Sequence, residues 1–109
     1  MRLKGNKVLS LLGLAKKAGK VASGEFSTEA AVKSQKACMV IVSEEASWNT
    51  RKKFQDMCSW YHVPIFLYGG KEELGRCIGQ ELRASIAVTD PGFSEAIQRE
   101  LGNVDERRA

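Results

Sequence analysis

The chain has 109 residues, of which 43% are hydrophobic and 28% charged, a composition that excludes a disordered chain and predicts one soluble folded domain. No apolar run approaches the roughly 20 residues of a membrane span, so no membrane partner is expected. The net charge of +4 is uneven, because residues 1–53 carry eleven Lys or Arg against four Glu, a net +7, while the rest carries −3. This asymmetry indicates a surface that faces a polyanion.

In chain order, apolar residues with helical spacing predict a first helix from Asn6 to Ala18. A short extended piece, 20–22, and a turn at Ser23-Gly24 precede a second predicted helix, for which Ser23 is the expected N-cap. Glu25 lies in the first turn of this helix, and Lys33 and Lys36 lie in its last turns. A helix start exposed beside lysines is an anion site, because its first N–H groups lack intrahelical partners.

Phe26 falls in the first turn of this second helix, and two interpretations of it remain open. The ring either packs inward or lies exposed at the anion site, and packing inward is the interpretation that the sequence favours.

The next segment, 37–43, is a continuous apolar run that predicts a strand buried on both faces, with helices on both sides of the sheet. A third helix, capped by Ser47, is predicted to present Phe54, Cys58 and Tyr61 to the core. The remaining predicted elements are a strand at 65–68, a short helix at 71–78, a strand at 85–89, a helix with Asp90 as cap and Pro91 first, and a fraying tail at 102–109. Alternating strands and helices predict one α/β domain over 1–109, a three-layer α–β–α sandwich around a small sheet.

Few residues carry the signature of catalysis or of metal binding. Cys38, Cys58 and Cys77 are far apart and form no C-x-x-C, so they are predicted to be reduced packing residues in a cytoplasmic protein. Glu44, Glu45 and Asp90 follow predicted strands, where they either bind Mg²⁺ or act as loop acids and helix caps, and the second interpretation is favoured. No nucleophile–base pair is identifiable. The sequence therefore predicts no enzyme, no cofactor and no metal.

Several short motifs resemble one known family and cover about residues 8–98. The segments are 12–15 (LGLA), Gly19-Lys20, Ser23-Gly24, 43–46 (SEEA), Asn49-Thr50 with Lys52-Lys53 and Cys58, 61–64 (YHVP), 71–79 (KEELGRCIG) and 87–90 (AVTD). They resemble the ribosomal protein family that binds kink-turn RNA, of the seven-Ae and thirty-e large-subunit type, and most of all its small bacterial members. The resemblance implies a four-stranded mixed sheet that includes residues 20–22.

The resemblance also implies an RNA-binding surface at the start of the second helix. Kink-turn-binding members carry Gly-x-Asn-Glu-x-x-Lys there, in which the polar side chains read guanine edges and phosphate. With the glycine aligned on Gly24, this chain has Phe26, Ser27 and Ala30 at the Asn, Glu and Lys positions. The loop 81–84 matches the family loop that covers a flipped-out base, with Arg83 toward phosphate and Leu82 or Ala84 on the base.

The resemblance therefore predicts a cytoplasmic, monomeric, non-catalytic protein that binds structured RNA, with ribosomal RNA, the ribosome and other translation proteins as candidate partners. Standard kink-turn specificity is expected to be weakened. The alternatives are a protein-interaction module that kept the fold and lost RNA reading, and the substrate-binding portion of an RNA-modifying enzyme. The residues predicted to contact RNA are Lys20, Ser23, Gly24, Glu25, Phe26, Ser27, Ala30, Lys33, Leu82, Arg83 and Ala84.

Overall fold

The computed structural model describes the backbone of residues 3–108 and the side chains of residues 7–102. Helices and strands alternate along this part of the chain. They are α1 (Leu3–Lys17), β1 (Val21–Ser23), α2 (Glu25–Lys33), β2 (Met39–Val42), α3 (Trp48–Tyr61), β3 (Ile65–Leu67), α4 (Lys71–Cys77), β4 (Ser85–Val88) and α5 (Pro91–Arg108). The predicted α/β fold with a small four-stranded sheet is confirmed.

The strand order explains where the loops of the protein meet. The sheet runs β1-β4-β2-β3, with β2 parallel to β3 and β4 antiparallel to both β1 and β2. Strands β1, β2 and β3 therefore point the same way. Because α2, α3 and α4 each follow one of these strands, all three helices begin at one end of the sheet, which we call the carboxyl end.

Two hydrophobic clusters fill the space between the layers, one on each face of the sheet. Val8, Leu12, Leu74 and Ile97 bring α1, α4 and α5 onto one face. On the other face α2 and α3 pack through residues that include Val32, Phe54 and Cys58. The central strands β2 and β4 are buried at every position, which confirms the prediction of burial on both faces for the apolar run 37–43. Fully burying each such aliphatic side chain contributes roughly 1.5–3 kcal/mol, which makes this sandwich the main source of stability.

Two predicted helix caps are confirmed by their hydrogen bonds. The Oγ atom of Ser47 accepts a bond from the N–H of Thr50 at 3.1 Å, and α3 begins directly after it. The Oδ2 atom of Asp90 accepts a bond from the N–H of Phe93 at 2.9 Å, at the start of α5.

Some predicted boundaries differ from those of the structure. Helix α1 begins at Leu3, three residues earlier than expected, and α2 ends at Lys33, so Lys36 lies outside it. The tail expected to fray is helical as far as Arg108, and Ala109 lies outside the described residues. Whether this tail frays in solution stays a prediction.

Two of the three cysteines pack in the core as the sequence predicts, Cys58 in one cluster and Cys77 against the other, and the packing role of Cys38 stays a prediction. Cys58 is fully buried, and Cys38 and Cys77 are half-buried. Burial raises the pKa of the Cys58 and Cys77 thiols to about 11 each, so both are protonated at neutral pH. Their lack of a metal or redox role stays a prediction. Within residues 3–108, no helix combines the length and the apolar character that crossing a membrane requires.

Candidate nucleic-acid interface

Helix α2 begins without a side-chain cap. Gly24 occupies the N-cap position with φ of 89°, a conformation that favours glycine, and no side chain bonds to the first turn. The prediction that Ser23 caps this helix is wrong, because Ser23 ends strand β1 and its Oγ accepts a bond from Nε of Arg83 at 3.1 Å. The first N–H groups of α2 are therefore left to an external acceptor.

The loop before β4 is held against this helix start by Arg83. Beside its bond to Ser23, the guanidinium donates to the carbonyl of Leu82 at 2.8 Å and to Oε1 of Gln80 at 3.1 Å. The N–H of Gly24 in turn donates to the carbonyl of Ser85 at 3.1 Å. The Arg83–Ser23 and Gly24–Ser85 bonds join two segments that are about sixty residues apart in sequence.

Gly75 on α4 allows the loop to lie this close to the rest of the protein. It is buried, and a Cβ atom at this position would overlap the backbone of Glu81. The N–H of Gln80 donates to the carbonyl of Gly75 at 2.8 Å, which fixes the start of the loop. This role was not predicted from the sequence, although the glycine stands in the motif that carries the resemblance.

Phe26, Ser27 and Ala30 all lie on the solvent side of α2. The ring of Phe26 is 84% exposed, so the interpretation that it packs inward is wrong. The inward side is formed by Thr28, whose Oγ1 accepts a bond from the buried Ser85 hydroxyl at 3.2 Å. At 100° per residue, Phe26 lies on the opposite side of the helix from Thr28. Leu82 on the neighbouring loop is also exposed.

The charges beside the helix start form a network that is neutral overall. Nζ of Lys33 and Nζ of Lys53 each lie 2.8 Å from Glu29, and Lys53 also lies 2.9 Å from Glu25. Hydrogen bonds from Lys33 and then from Lys53 lower the pKa of Glu29 to about 2, and the same contact with Glu29 raises the pKa of Lys53. Two acids balance two lysines here, so the positive charge of residues 1–53 is not concentrated at this point.

The predicted RNA contacts therefore divide into two groups. The structure brings Ser23, Gly24, Glu25, Phe26, Ser27, Leu82 and Arg83 to the carboxyl end of the sheet, with Ala30 one turn along; we call this set the α2 surface. Lys20 lies at the other end of β1 and Lys33 at the other end of α2, each about 12–13 Å away by strand and helix rise. Ala84 is half-buried against the core. Leu82 is therefore the apolar residue of this loop that faces solvent.

The acids that follow the strands have structural partners. Oε1 of Glu45 accepts a bond from the N–H of Lys71 at 2.9 Å, and Oε1 of Glu73 accepts one from the N–H of Gly70 at 2.9 Å. With the Asp90 bond described above, the helix-cap interpretation is confirmed for Glu45 and Asp90. Within the part of the chain that the structure describes, no three His, Cys, Asp or Glu residues are grouped as a metal site would require.

Comparison with known proteins gives relatives that match most of the chain. The sequence is 41% identical over 95 residues to the RNA-binding protein YlxQ of Bacillus subtilis (strain 168), covering 87% of this chain and 95% of the relative. It is 39% identical over 89 residues to the RNA-binding protein YlxQ of Enterococcus faecium, covering 82% and 85%.

Solved structures agree with the fold. A Bacillus halodurans protein of unknown function has a TM-score of 0.85 at 38% identity, covering 88% of this chain and 97% of the other. The Giardia lamblia 15.5kD RNA binding protein has a TM-score of 0.79 at 17% identity, covering 97% and 91%, which shows the shared fold. Residues 6–98 match the sequence profile of the ribosomal protein L7Ae/L30e/S12e/Gadd45 family. The resemblance found in the sequence is thus confirmed, and the chain belongs to this family.

Proposed function

We propose that this protein binds structured RNA, without catalysing a reaction, through the α2 surface. The observation that carries the proposal is the start of α2, which has no side-chain cap and lies beside the Arg83 loop. The Phe26 ring in the first turn of this helix is exposed to solvent. The names of the two YlxQ relatives, both RNA-binding proteins, support the same assignment. We further propose that the RNA is ribosomal or ribosome-associated and that the protein acts as a monomer in the cytoplasm.

The α2 surface offers one group for each part of an RNA strand. The free N–H groups of the first turn and the positive end of the helix dipole suit a phosphate. Arg83 uses three of its five N–H donors within the protein, so two remain for a second phosphate. Phe26 and Leu82 are apolar and exposed, as is required to stack on or cover an unpaired base.

Weakened kink-turn specificity is the second part of the proposal. Positions 26, 27 and 30 lie on the solvent side of α2, where a bound RNA would meet them. A phenyl ring and a methyl group form no hydrogen bonds with guanine edges, and Ser27 offers one short hydroxyl. The binding that remains therefore depends on phosphate contacts and on stacking.

A protein-interaction module is the second candidate function, and one observation favours it. Phe26 and Leu82 are exposed apolar residues beside a charge network that is neutral overall. Such a surface can also be the centre of a protein–protein interface, where aromatic side chains are enriched and charges depleted.

Titration with three labelled RNAs of equal length, a kink-turn, a plain duplex and a single strand, tests the proposal at several salt concentrations. Arg83→Gln should reduce the slope of log affinity against log salt by about 0.9 for each phosphate that the arginine neutralises, whereas Arg99→Gln on α5 should not. Phe26→Ala should weaken binding of RNA with unpaired bases by roughly 5- to 150-fold, the equivalent of about 1–3 kcal/mol per stacked base. Trp60→Ala, which also removes an exposed ring, is the matched control. A folded parent that binds none of the three RNAs at low salt would refute the proposal and support the protein-interaction module.

A further inference from the structure

Strand β3 leaves one edge of the sheet open. It is last in the strand order, and in residues 3–108 it pairs with β2 alone. The N–H of Val40 donates to the carbonyl of Pro64 at 2.9 Å, and the N–H of Tyr68 donates to the carbonyl of Val42 at 3.0 Å. Alternate residues of a strand direct their backbone groups to opposite sides, so Ile65 and Leu67 direct theirs away from β2.

A groove runs beside this edge, between β3 and α3. It has a volume of about 280 Å³ and is lined by Val42, Trp48, Arg51, Gln55, Ile65 and Leu67. Trp48 is 65% exposed and Leu67 51% exposed, so two large apolar side chains that line this groove remain open to solvent. Arg51 is the one charged residue of the lining.

The open edge is short, but its paired residues carry no charge and no proline. Edge strands are commonly blunted by short length, charged side chains, bulges or proline, and of these features β3 has its length of three residues. Here the paired residues are Ile65, Phe66 and Leu67, and Pro64 precedes them with its carbonyl directed to β2. Two outward N–H groups and two outward carbonyls are thus presented at strand spacing.

We propose that this edge binds an extended, acidic segment of a partner protein, which adds a strand to the sheet next to β3. The backbone of the segment pairs with Ile65 and Leu67, and one apolar side chain enters the groove between Trp48 and Leu67. Side chains two residues apart point to the same face of a strand, so a carboxylate at the next such position reaches Arg51. We call this set of residues the β3 edge.

The features of the edge distinguish a peptide from other occupants. Alternating backbone donors and acceptors at strand spacing match the backbone of another strand, and nucleic acid has no such alternation. A second copy of this chain paired through the same edge would bring a second Arg51 to the same face, and the groove lining holds no acid to pair with it. Lys52 is less available than Arg51 to an acidic partner, since its Nζ already lies 3.1 Å from Asp56.

Selection from a random hexapeptide library displayed on phage, with the full chain as bait, tests the proposal. Enriched peptides should carry an acidic residue two positions from an apolar one, because both side chains must lie on the same face of the added strand. One such peptide, made synthetically, is then measured by fluorescence anisotropy. Leu67→Pro removes an outward N–H and should reduce the affinity for this peptide at least tenfold. The variant should still fold, because proline is tolerated where the N–H of an edge strand faces solvent. Leu67→Val, which keeps the N–H, is the matched control.

Two further measurements keep the test decisive if Leu67→Pro does not fold. Arg51→Glu should lose the acidic peptide and select basic peptides instead, and a copy of the peptide methylated on its backbone nitrogens should not bind the parent. Arg51→Glu, and Leu67→Pro if it folds, should bind RNA as the parent does, which separates this inference from the proposed function. Peptides without acidic residues, or binding unchanged by Arg51→Glu, would overturn the proposal. The proposal would also be overturned if the parent formed a dimer that Leu67→Pro abolished, since the occupant of the edge would then be a second copy. RNA that crosslinked at Trp48 would overturn it as well, since the occupant would then be RNA.

Discussion

Helices α2 and α4 begin at the same end of the sheet but satisfy their first N–H groups in opposite ways. At α4 two carboxylates accept backbone bonds, Glu45 from Lys71 and Glu73 from Gly70. At α2 no side chain caps the helix, and the nearby Ser23 hydroxyl accepts a bond from Arg83 instead. Both helix starts have the same backbone N–H groups without intrahelical partners, so the difference lies in the side chains that surround them.

This difference separates a structural helix start from one that is available to a ligand. At the start of α4 the Glu45 carboxylate occupies the N–H of Lys71 and offsets the positive end of the helix dipole, which stabilises the helix and disfavours a bound anion there. The α2 start keeps its N–H groups, and Lys53 balances the charge of Glu25 in its first turn. A glycine with positive φ, and not a capping side chain, shapes the turn into it. We expect four changes to break or sharpen this contrast.

The largest effect is expected when the α2 start receives the polar readers of its family. The triple change Phe26→Asn, Ser27→Glu, Ala30→Lys should raise the preference for a standard kink-turn over a duplex of equal length by about two to four orders of magnitude. The reason is that the change restores two base contacts, each of which contributes roughly 1–3 kcal/mol of discrimination. Binding of both RNAs to parent and triple mutant measures it. A parent that already prefers the kink-turn a thousandfold would contradict the interpretation of these three positions.

The second change disturbs the loop that closes the α2 surface. Gly75→Ala on α4 places a methyl group against the backbone of Glu81, so the loop must shift, at a cost of about 1–3 kcal/mol in the free energy of unfolding. RNA affinity should fall as well, because Arg83 moves with the loop. Urea denaturation and RNA titration check the two effects. Gly102→Ala on α5, where a methyl group meets no other atom within 4 Å, is the control and should not destabilise the protein.

The third change makes the α4 start resemble that of α2. Glu45→Ala removes the acceptor of the Lys71 N–H and should lower the free energy of unfolding by about 1 kcal/mol, the usual cost of removing a cap. Glu45→Gln retains an amide oxygen and should recover most of this stability. Chemical denaturation of both variants measures this. Equal midpoints for Glu45→Ala and the parent would show that the carboxylate contributes nothing to the cap.

The smallest effect concerns the charges on α2. The pKa of Glu29 is about 2 in the folded protein and 4.5 for the free side chain, so its ion pairs stabilise the protein fully above about pH 4.5. This contribution is lost as the pH falls toward 2. The melting temperature of the parent should therefore decrease more between pH 5 and pH 2.5 than that of Glu29→Gln. Glu95→Gln, which removes a pair that is mostly exposed, should follow the parent.

The sequence determined the fold and the neighbourhood of the site. A continuous apolar run identified β2, and local cap chemistry located the starts of α3 and α5 at Ser47 and Asp90. These features depend on residues within a few positions of one another, so periodicity and spacing are sufficient to recognise them. The family motifs then pointed to the start of α2 and to the loop before β4.

Only the tertiary structure decided how that site is built. Arg83 bonds to Ser23 across sixty residues, and Lys53 reaches Glu25 across twenty-eight, separations at which no local pattern predicts a contact. The exposure of Phe26 followed from the way Thr28 turns inward to Ser85 on β4, which fixes the rotation of α2. A side chain's partners depend on which elements the sheet places side by side, and strand order is a property of the whole chain.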